Sequence, residues 1–387
     1  MQKLTTNNRI DLVDCLRGFA VCGIIIIHFL EHMNFMTVPK PTALDQGIWD
    51  TVFFLGASKM YAIFALLFGF SCYIQHHNQE KRGVDFRPRF AWRMVLLFIW
   101  GLIDLLFYNG DILCTYAVLG LFLIPLVKAP DKVLIACAVL LFIQPIEVVY
   151  MILGAINPDI APMNVGLGKY WAMVMTPQAQ GTIFDVAVAN LKAGLQINFG
   201  WALEHGRLTQ TLFLFITGML LGRKRLFLDE GDNLKFWKKV LIGSVIAFAV
   251  FYPMWKLIPG AIGNKTVSFS AEILLNMWRN FAMMAFYVSG LTLLYYKTNA
   301  HKALHHLAYV GKMSLSCYLI QSIVGAFLFY NWGLGLFRTC GHTVSFLMSL
   351  AFLVLLYFFC RWWTTHHRRG PLEEIWSRLT FIGVKKA

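Results

Sequence analysis

RIDLVDCLRGFAVCGIIIIHFLEH, residues 9 to 32, decides the fold. From Leu12 to Leu30 the stretch is apolar enough, and near enough to the ~20 residues needed, to cross roughly 30 Å of hydrocarbon as a helix. It also carries Asp11, Asp14, Arg17, His28, Glu31 and His32. Ionisable groups in such a segment are costly unless they face a protein interior or an aqueous cavity, so the stretch reads as a membrane helix with polar business inside.

The rest of the chain has the same character. Its 387 residues are 58% hydrophobic and only 14% charged, against about 25% charged in soluble domains; the mean hydropathy is +0.60. Apolar runs recur at 12–30, 51–74, 94–108, 112–127, 133–153, 207–222, 240–258, 272–296, 313–330 and 343–360. The stretch behind the polar N-terminus has no small-residue cleavage signal and is expected to be a retained first helix. The formal net charge of +14 does not point to nucleic acid, because Lys and Arg sit in short blocks between apolar runs and act as topology signals. Eight scattered Cys, without a CxxC pair, read as packing residues, with no metal site expected.

Charge sets the orientation. Lys81, Arg82, Arg87, Arg89 and Arg93 form one basic block, and Arg223, Lys224, Arg225, Lys235, Lys238 and Lys239 a second. Lys297, Lys302 and Lys312 form a third, and Arg361, Arg368 and Arg369 a fourth in the tail. Ten spans threaded from a cytoplasmic N-terminus put all four blocks inside, and loops 32–50, 154–206, 259–271 and 331–342 outside. The expectation is an all-α polytopic integral membrane protein of about ten transmembrane helices, both termini cytoplasmic, forming one domain over 1–387. The outer segment 154–206 reads as an interfacial helix or a re-entrant cap.

Within the first span, residue 28 follows residue 17 by eleven positions, which returns to nearly the same helix face about 16 Å further along. Arg17 and His28 thus line one stripe near opposite ends. Asp14 is placed to pair with Arg17, and Glu31 and His32 to orient the His28 ring. A plainer reading makes Arg17 a snorkelling anchor and His28 an interfacial residue. Lys59, followed by Tyr61, lines the same cavity or snorkels; Asp111, in an Asn109-Gly110-Asp111 turn, is a turn former or a ligand. Glu147 and Arg279 lie inside spans, where a mutual pair would relieve their cost. Glu204, His205 and Arg207 cluster at the outer entrance of the sixth span, while Ser314, Tyr318 and Gln321 share one face of the ninth as glue or site. The histidine pairs 76/77, 305/306 and 366/367 sit at basic edges and read as interface residues.

The stretch from Leu12 to His28, with Asp14, Leu16, Arg17 and Gly18, resembles the LDxLRG opening of the YeiB-like bacterial inner-membrane proteins and of the wider acyltransferase-3 superfamily. The likeness to the YeiB-like group extends through FALLFG (64–69), NGDIL (109–113), VGKMSLSCYLIQS (310–322) and RRGPLEEIWSRLT near the C-terminus. Membrane acyltransferases of the superfamily carry an Arg and a His separated by ten residues in the first span, and Arg17 and His28 match that spacing. YeiB-like proteins usually have Asn where this chain has His28, a departure toward the enzymatic branch.

The resemblance implies a membrane-embedded acyltransferase of the bacterial cytoplasmic (inner) membrane. It would move an acyl group, acetyl in the simplest case, from cytoplasmic acyl-CoA (acetyl-CoA) to a hydroxyl or amine of an envelope glycan, lipid or small amine. Arg17 would clamp a phosphate or pantetheine-linked group and His28 would act as general base or acyl carrier, with Asp14, Glu31, Lys59 and Asp111 as substrate-binding side chains. No metal is expected; the partners are the bilayer and both substrates, and a homo-oligomer is compatible with such a bundle. The alternative is a transporter or export partner without chemistry, in which Asp14, Arg17 and Glu147 line a substrate path.

Overall fold

The structure, a computed structural model, describes residues 10–34 and 38–382. The polar N-terminal residues before 10 and the end of the tail lie outside that range. The described residues are helical, without a strand.

Helix α1 (Asp11–Leu30) is central. Along one side runs α3 (Met60–Glu80); along the other lie α14 (His301–Lys312), α15 (Ser314–Phe329) and α16 (His342–His366). Two close crossings fix this arrangement. A Cβ on Gly18 of α1 would stand 2.0 Å from the Leu307 carbonyl oxygen, and one on Gly311 of α14 1.9 Å from that of Asp14. The same device joins α3 to α11 (Arg207–Arg223), where Gly69 abuts Phe215 and Gly218 abuts Leu66 at 1.9 Å. Small residues let membrane helices pack backbone to backbone, where the hydrophobic effect offers no drive. The glycines of LRG, FALLFG and VGKM are therefore packing positions.

Around this centre stand α4 (Arg87–Leu105), α5 (Leu113–Leu121) with the short α6 (Leu123–Leu126), and α7 (Asp131–Phe142) with α8 (Pro145–Ile156). Gln144 breaks the last pair: Pro145 disfavours a helical residue before it, Gln144 adopts φ 57, and the two helices bend by 44°. A second bend, of 72°, separates α14 from α15. The segment 154–206 holds two helices, α9 (Gly168–Gln180) and α10 (Ile183–Glu204), the latter packed on α4, α5 and α11. The long hairpin of α12 (Asn233–Ala261) and α13 (Lys265–Lys297) flanks the bundle.

Among the described residues four stretches, Asp11–Leu30, Ala43–Glu80, Asn233–Ala261 and His342–His366, are long and apolar enough to cross a membrane, and up to six if each bent pair counts as one span. The second of them joins α2 (Ala43–Leu55) to α3. The other four expected spans fall in α4, α5 with α6, α11 and α13, each too short or too polar to meet that measure. Outward faces are apolar: only 6% of the α12 window is buried, leaving Ile242, Val245, Ile246 and Leu257 exposed. Contiguous apolar surface of this extent is what a helix presents to lipid.

Candidate active site

Arg17 is held, not snorkelling. One guanidinium nitrogen donates to Asp14 Oδ1 at 2.9 Å, closing the pair its spacing predicts, and another donates to Ser71 Oγ of α3 at 3.0 Å. The side chain thus bridges two helices beside the Gly18 crossing.

Arg17 lines a cavity of about 670 Å³, within the usual range for small-molecule sites. Arg82, Arg93, Lys312 and Arg369 line it too, with two carboxylates, Asp14 and Glu373. Phe64, Phe68, Tyr116 and Tyr318 supply an aromatic wall. Another side is formed by α17 (Pro371–Thr380) through Glu373, Trp376 and Ser377. Glu373 caps the start of α15, accepting from Leu315 N at 2.8 Å, Ser316 N at 3.1 Å and Ser316 Oγ at 2.6 Å. At the other end of α17, Arg93 donates to Thr380 Oγ1 at 3.2 Å and lies 4.2 Å from the Trp376 ring centre. The Trp376 indole N–H is buried and, among the described residues, has no hydrogen-bond partner.

His28 sits beyond the aromatic wall. Its ring centre is 6.3 Å from that of Tyr318 and 4.9 Å from that of Tyr108. The Gln321 amide of α15 meets Nδ1, oxygen at 3.2 Å and nitrogen at 2.9 Å. Among the described residues Nε2 makes no hydrogen bond. The Tyr318 hydroxyl oxygen accepts from Ile112 N at 3.2 Å and keeps its own proton to donate. Tyr318 therefore lines the basic cavity and stands in a T-shaped arrangement with His28.

The expectation that Glu31 and His32 orient the His28 ring is corrected. Helix α1 ends at Leu30, and His32, Met33 and Asn34 take left-handed backbone angles (φ 48, 56 and 69). The i+3 and i+4 relation needs a continuing helix. His32 turns instead to Ser345 Oγ at 2.7 Å and stacks on Phe329, while Glu31 interacts electrostatically with Arg207. Gln321 does the orienting, from a helix almost three hundred residues away.

Asp111 is buried and caps α5, accepting from Leu113 N and Cys114 N, both at 2.9 Å. Lys59 is buried at the start of α3 and does not line the basic cavity. Glu147 and Arg279 do not pair: Glu147 faces Ser270, and Arg279 stacks on Trp255 with its Nε bonded to Asn276. Glu204 accepts from Val165 N, and His205 stacks on Trp201. Of the paired histidines, His76 is buried, whereas His305 meets Asp11 at 2.9 Å. Asp104 escaped notice in the sequence. It is 1% exposed and lies near Asp111 and Ser322. The available signal was a lone acid inside the apolar run IWGLIDLLF.

Residues 221–383 match a family described as a protein of unknown function, DUF418, and residues 9–161 match the catalytic region of heparan-alpha-glucosaminide N-acetyltransferase. Among curated proteins the chain is 28% identical to the uncharacterized protein YxaH of Bacillus subtilis (strain 168), over 99% of this chain and 96% of that one. It is 27% identical to the uncharacterized protein YeiB of Escherichia coli (strain K12), over 95% of each. This chain is similar to the YeiB-like proteins along nearly its whole length. No solved structure matches it. Stretches far apart in sequence meet in the structure: LRG and VGKM at the Gly18–Gly311 crossing, and Tyr318, Arg369, Glu373 and Trp376 around the cavity that Arg17 lines.

Proposed function

We propose that this protein is a transmembrane acyltransferase that draws an acyl group, acetyl in the simplest case, from acyl-CoA and delivers it to an acceptor hydroxyl or amine at the opposite face. The observation that carries the proposal is one cavity lined by five cations and by Tyr318, whose ring stands 6.3 Å from that of His28. Guanidinium groups suit phosphates, which they hold with forked hydrogen bonds. The match of residues 9–161 to the catalytic region of an N-acetyltransferase supports the same chemistry.

In this reading Arg17, Arg82, Arg93, Lys312 and Arg369 hold the donor's phosphates, and its thioester arm runs along the aromatic wall toward His28. With the Gln321 oxygen accepting from Nδ1–H, Nε2 has a lone pair. It takes the acceptor's O–H or N–H proton as that oxygen or nitrogen attacks the thioester carbonyl. The tetrahedral oxyanion has the Tyr318 hydroxyl to lean on. Its collapse breaks the C–S bond, the proton on Nε2 passes to the departing thiolate, and an ester or amide and a free thiol result. Arg17 at one end of α1 and His28 at the other divide donor binding from proton transfer.

The basic cavity belongs on the cytoplasmic side, in a ten-span bundle of the inner membrane with both termini inside. Segment 154–206 then lies outside as a cap. The acceptor is a glycan, lipid or small amine of the envelope. Asp14 and Asp111 act by positioning Arg17 and the start of α5.

Acetyl-CoA titrated into purified protein by calorimetry tests this. Wild type binds, and R17A binds at least ~10-fold more weakly, since a hydrogen bond to a charged group is worth about 1.5–3 kcal/mol. R17K recovers only part, because an ammonium cannot fork. Equal affinity of wild type and R17A removes the clamp, and absence of binding to either removes the enzyme.

A further inference from the structure

Lys59, just before α3, lies within electrostatic range of two further cations, Arg207 of α11 and Arg279 of α13. Lys59 is 2% exposed, and its ammonium makes one long hydrogen bond, 3.4 Å to the Phe53 carbonyl. No carboxylate among the described residues stands within salt-bridge distance of it; its charged neighbours are Arg279 and Arg207. Arg207, at the start of α11, donates to Ser58 Oγ at 2.8 Å and lies 4.2 Å from the Tyr61 ring centre and 5.0 Å from that of Trp201. Arg279 lies 3.6 Å over Trp255.

Folding alone leaves this cluster short of negative charge. Glu31 acts on Arg207 and Glu272 on Arg279 at electrostatic range, which leaves the Lys59 ammonium uncompensated, and a buried charge without a counter-charge is expensive. Two further donors wait beside the cations. Among the described residues the buried Trp255 indole N–H and Gln210 amide N–H have no hydrogen-bond partner, and the Gln210 oxygen already accepts from the Tyr61 hydroxyl. What would satisfy an ammonium, two guanidinium groups and two N–H donors is an anion with several acceptor oxygens. The surface beside them is apolar: Phe54 and Leu55 of α2 and Leu257 of α12 are exposed, and Phe54 packs edge-on against Phe248 and Tyr252.

We propose that the Lys59–Arg207–Arg279 cluster binds the phosphate or carboxylate headgroup of an anionic lipid, whose tails lie along the apolar flank of α2 and α12. Glu31, three residues past His28, ties the cluster to the catalytic end through Arg207. The lipid is accordingly the acyl acceptor or its anchor; that last step rests on the acyl-transfer reading, whereas headgroup binding does not.

Native mass spectrometry of the full-length protein, released from detergent containing dioleoylphosphatidylglycerol or dioleoylphosphatidylcholine, tests headgroup binding without acyl-CoA. Wild type retains phosphatidylglycerol in preference to phosphatidylcholine. K59M and R279Q each reduce that preference at least ~10-fold, the size of one charge-assisted hydrogen bond, and K235Q at an exposed lysine does not. If K59M fails to fold, R279Q carries the comparison. Equal retention of both lipids by wild type, or an undiminished preference in both variants, overturns the site. Inorganic phosphate displacing the lipid at equal concentration overturns the tail contact and marks a soluble anion as ligand. A protein that discriminates the lipids yet transfers no acyl group upholds the headgroup site and refutes the acceptor role.

Discussion

His28 and Gln321 allow a quantitative test of the proton-transfer step. H28N keeps a hydrogen-bonding group of similar size, matches the residue usual in YeiB-like proteins, and removes the titratable nitrogen; loss of a general base costs ~10²–10⁴-fold. Gln321 reaches the reaction only through Nδ1, by one contact at 2.9–3.2 Å. A neutral hydrogen bond contributes about 0.5–1.5 kcal/mol, so Q321L slows transfer by roughly 2- to 13-fold at 1.36 kcal/mol per decade. Because the second residue acts through the first, the double variant is no slower than H28N alone, as groups working as a unit are not additive. Release of free thiol from acetyl-CoA in proteoliposomes, followed with a thiol reagent, measures all four proteins. A double variant slowed by the product of the two single effects would show that Gln321 acts independently of His28. H28N with full activity would refute the base and return the protein to the transporter reading.

Replacing Gly311 with Ala puts a methyl 1.9 Å from the Asp14 carbonyl oxygen, so α14 must move off α1 at a cost of about 1–3 kcal/mol; G243A, with nothing within 4 Å, is neutral or stabilising, and thermal unfolding separates the two. The Glu374 carboxyl of α17 is held below the usual carboxylate range by its hydrogen bond to Arg378 and by Arg369. A depressed value adds stability above the unfolded carboxylate pKa of ~4.3 that fades as pH falls through the folded value; since both partners belong to the 369–378 segment, circular dichroism reports fraying of α17, and with it any undocking, only in acid below about pH 4. Undocking that begins near pH 7 contradicts this. Reporters fused after Lys81, Lys235 or Lys302 are cytoplasmic and those after Lys40 or Asn164 external; an external signal at Lys235 overturns the ten-span orientation.

The sequence by itself determined the helical, lipid-facing character of the chain, because apolar length and charge spacing are local quantities. It also determined the Arg17–Asp14 pair, which needs only a helix repeat. Helix breaks were less legible: the run 133–153 hides a bend at Gln144, and the 51–74 run begins in α2, crosses the turn at Ser58 and continues in α3. Only the tertiary structure decided what His28 touches, since α1 stops at Leu30 and the partner comes from α15. The same holds for the basic cavity. Its cations come from α1, the 81–86 turn, α4, α14 and the approach to α17, and read along the chain each is just another topology-setting charge. Convergence of distant residues is a property of helix crossings, and those crossings are set by glycine contacts whose partners no local pattern names.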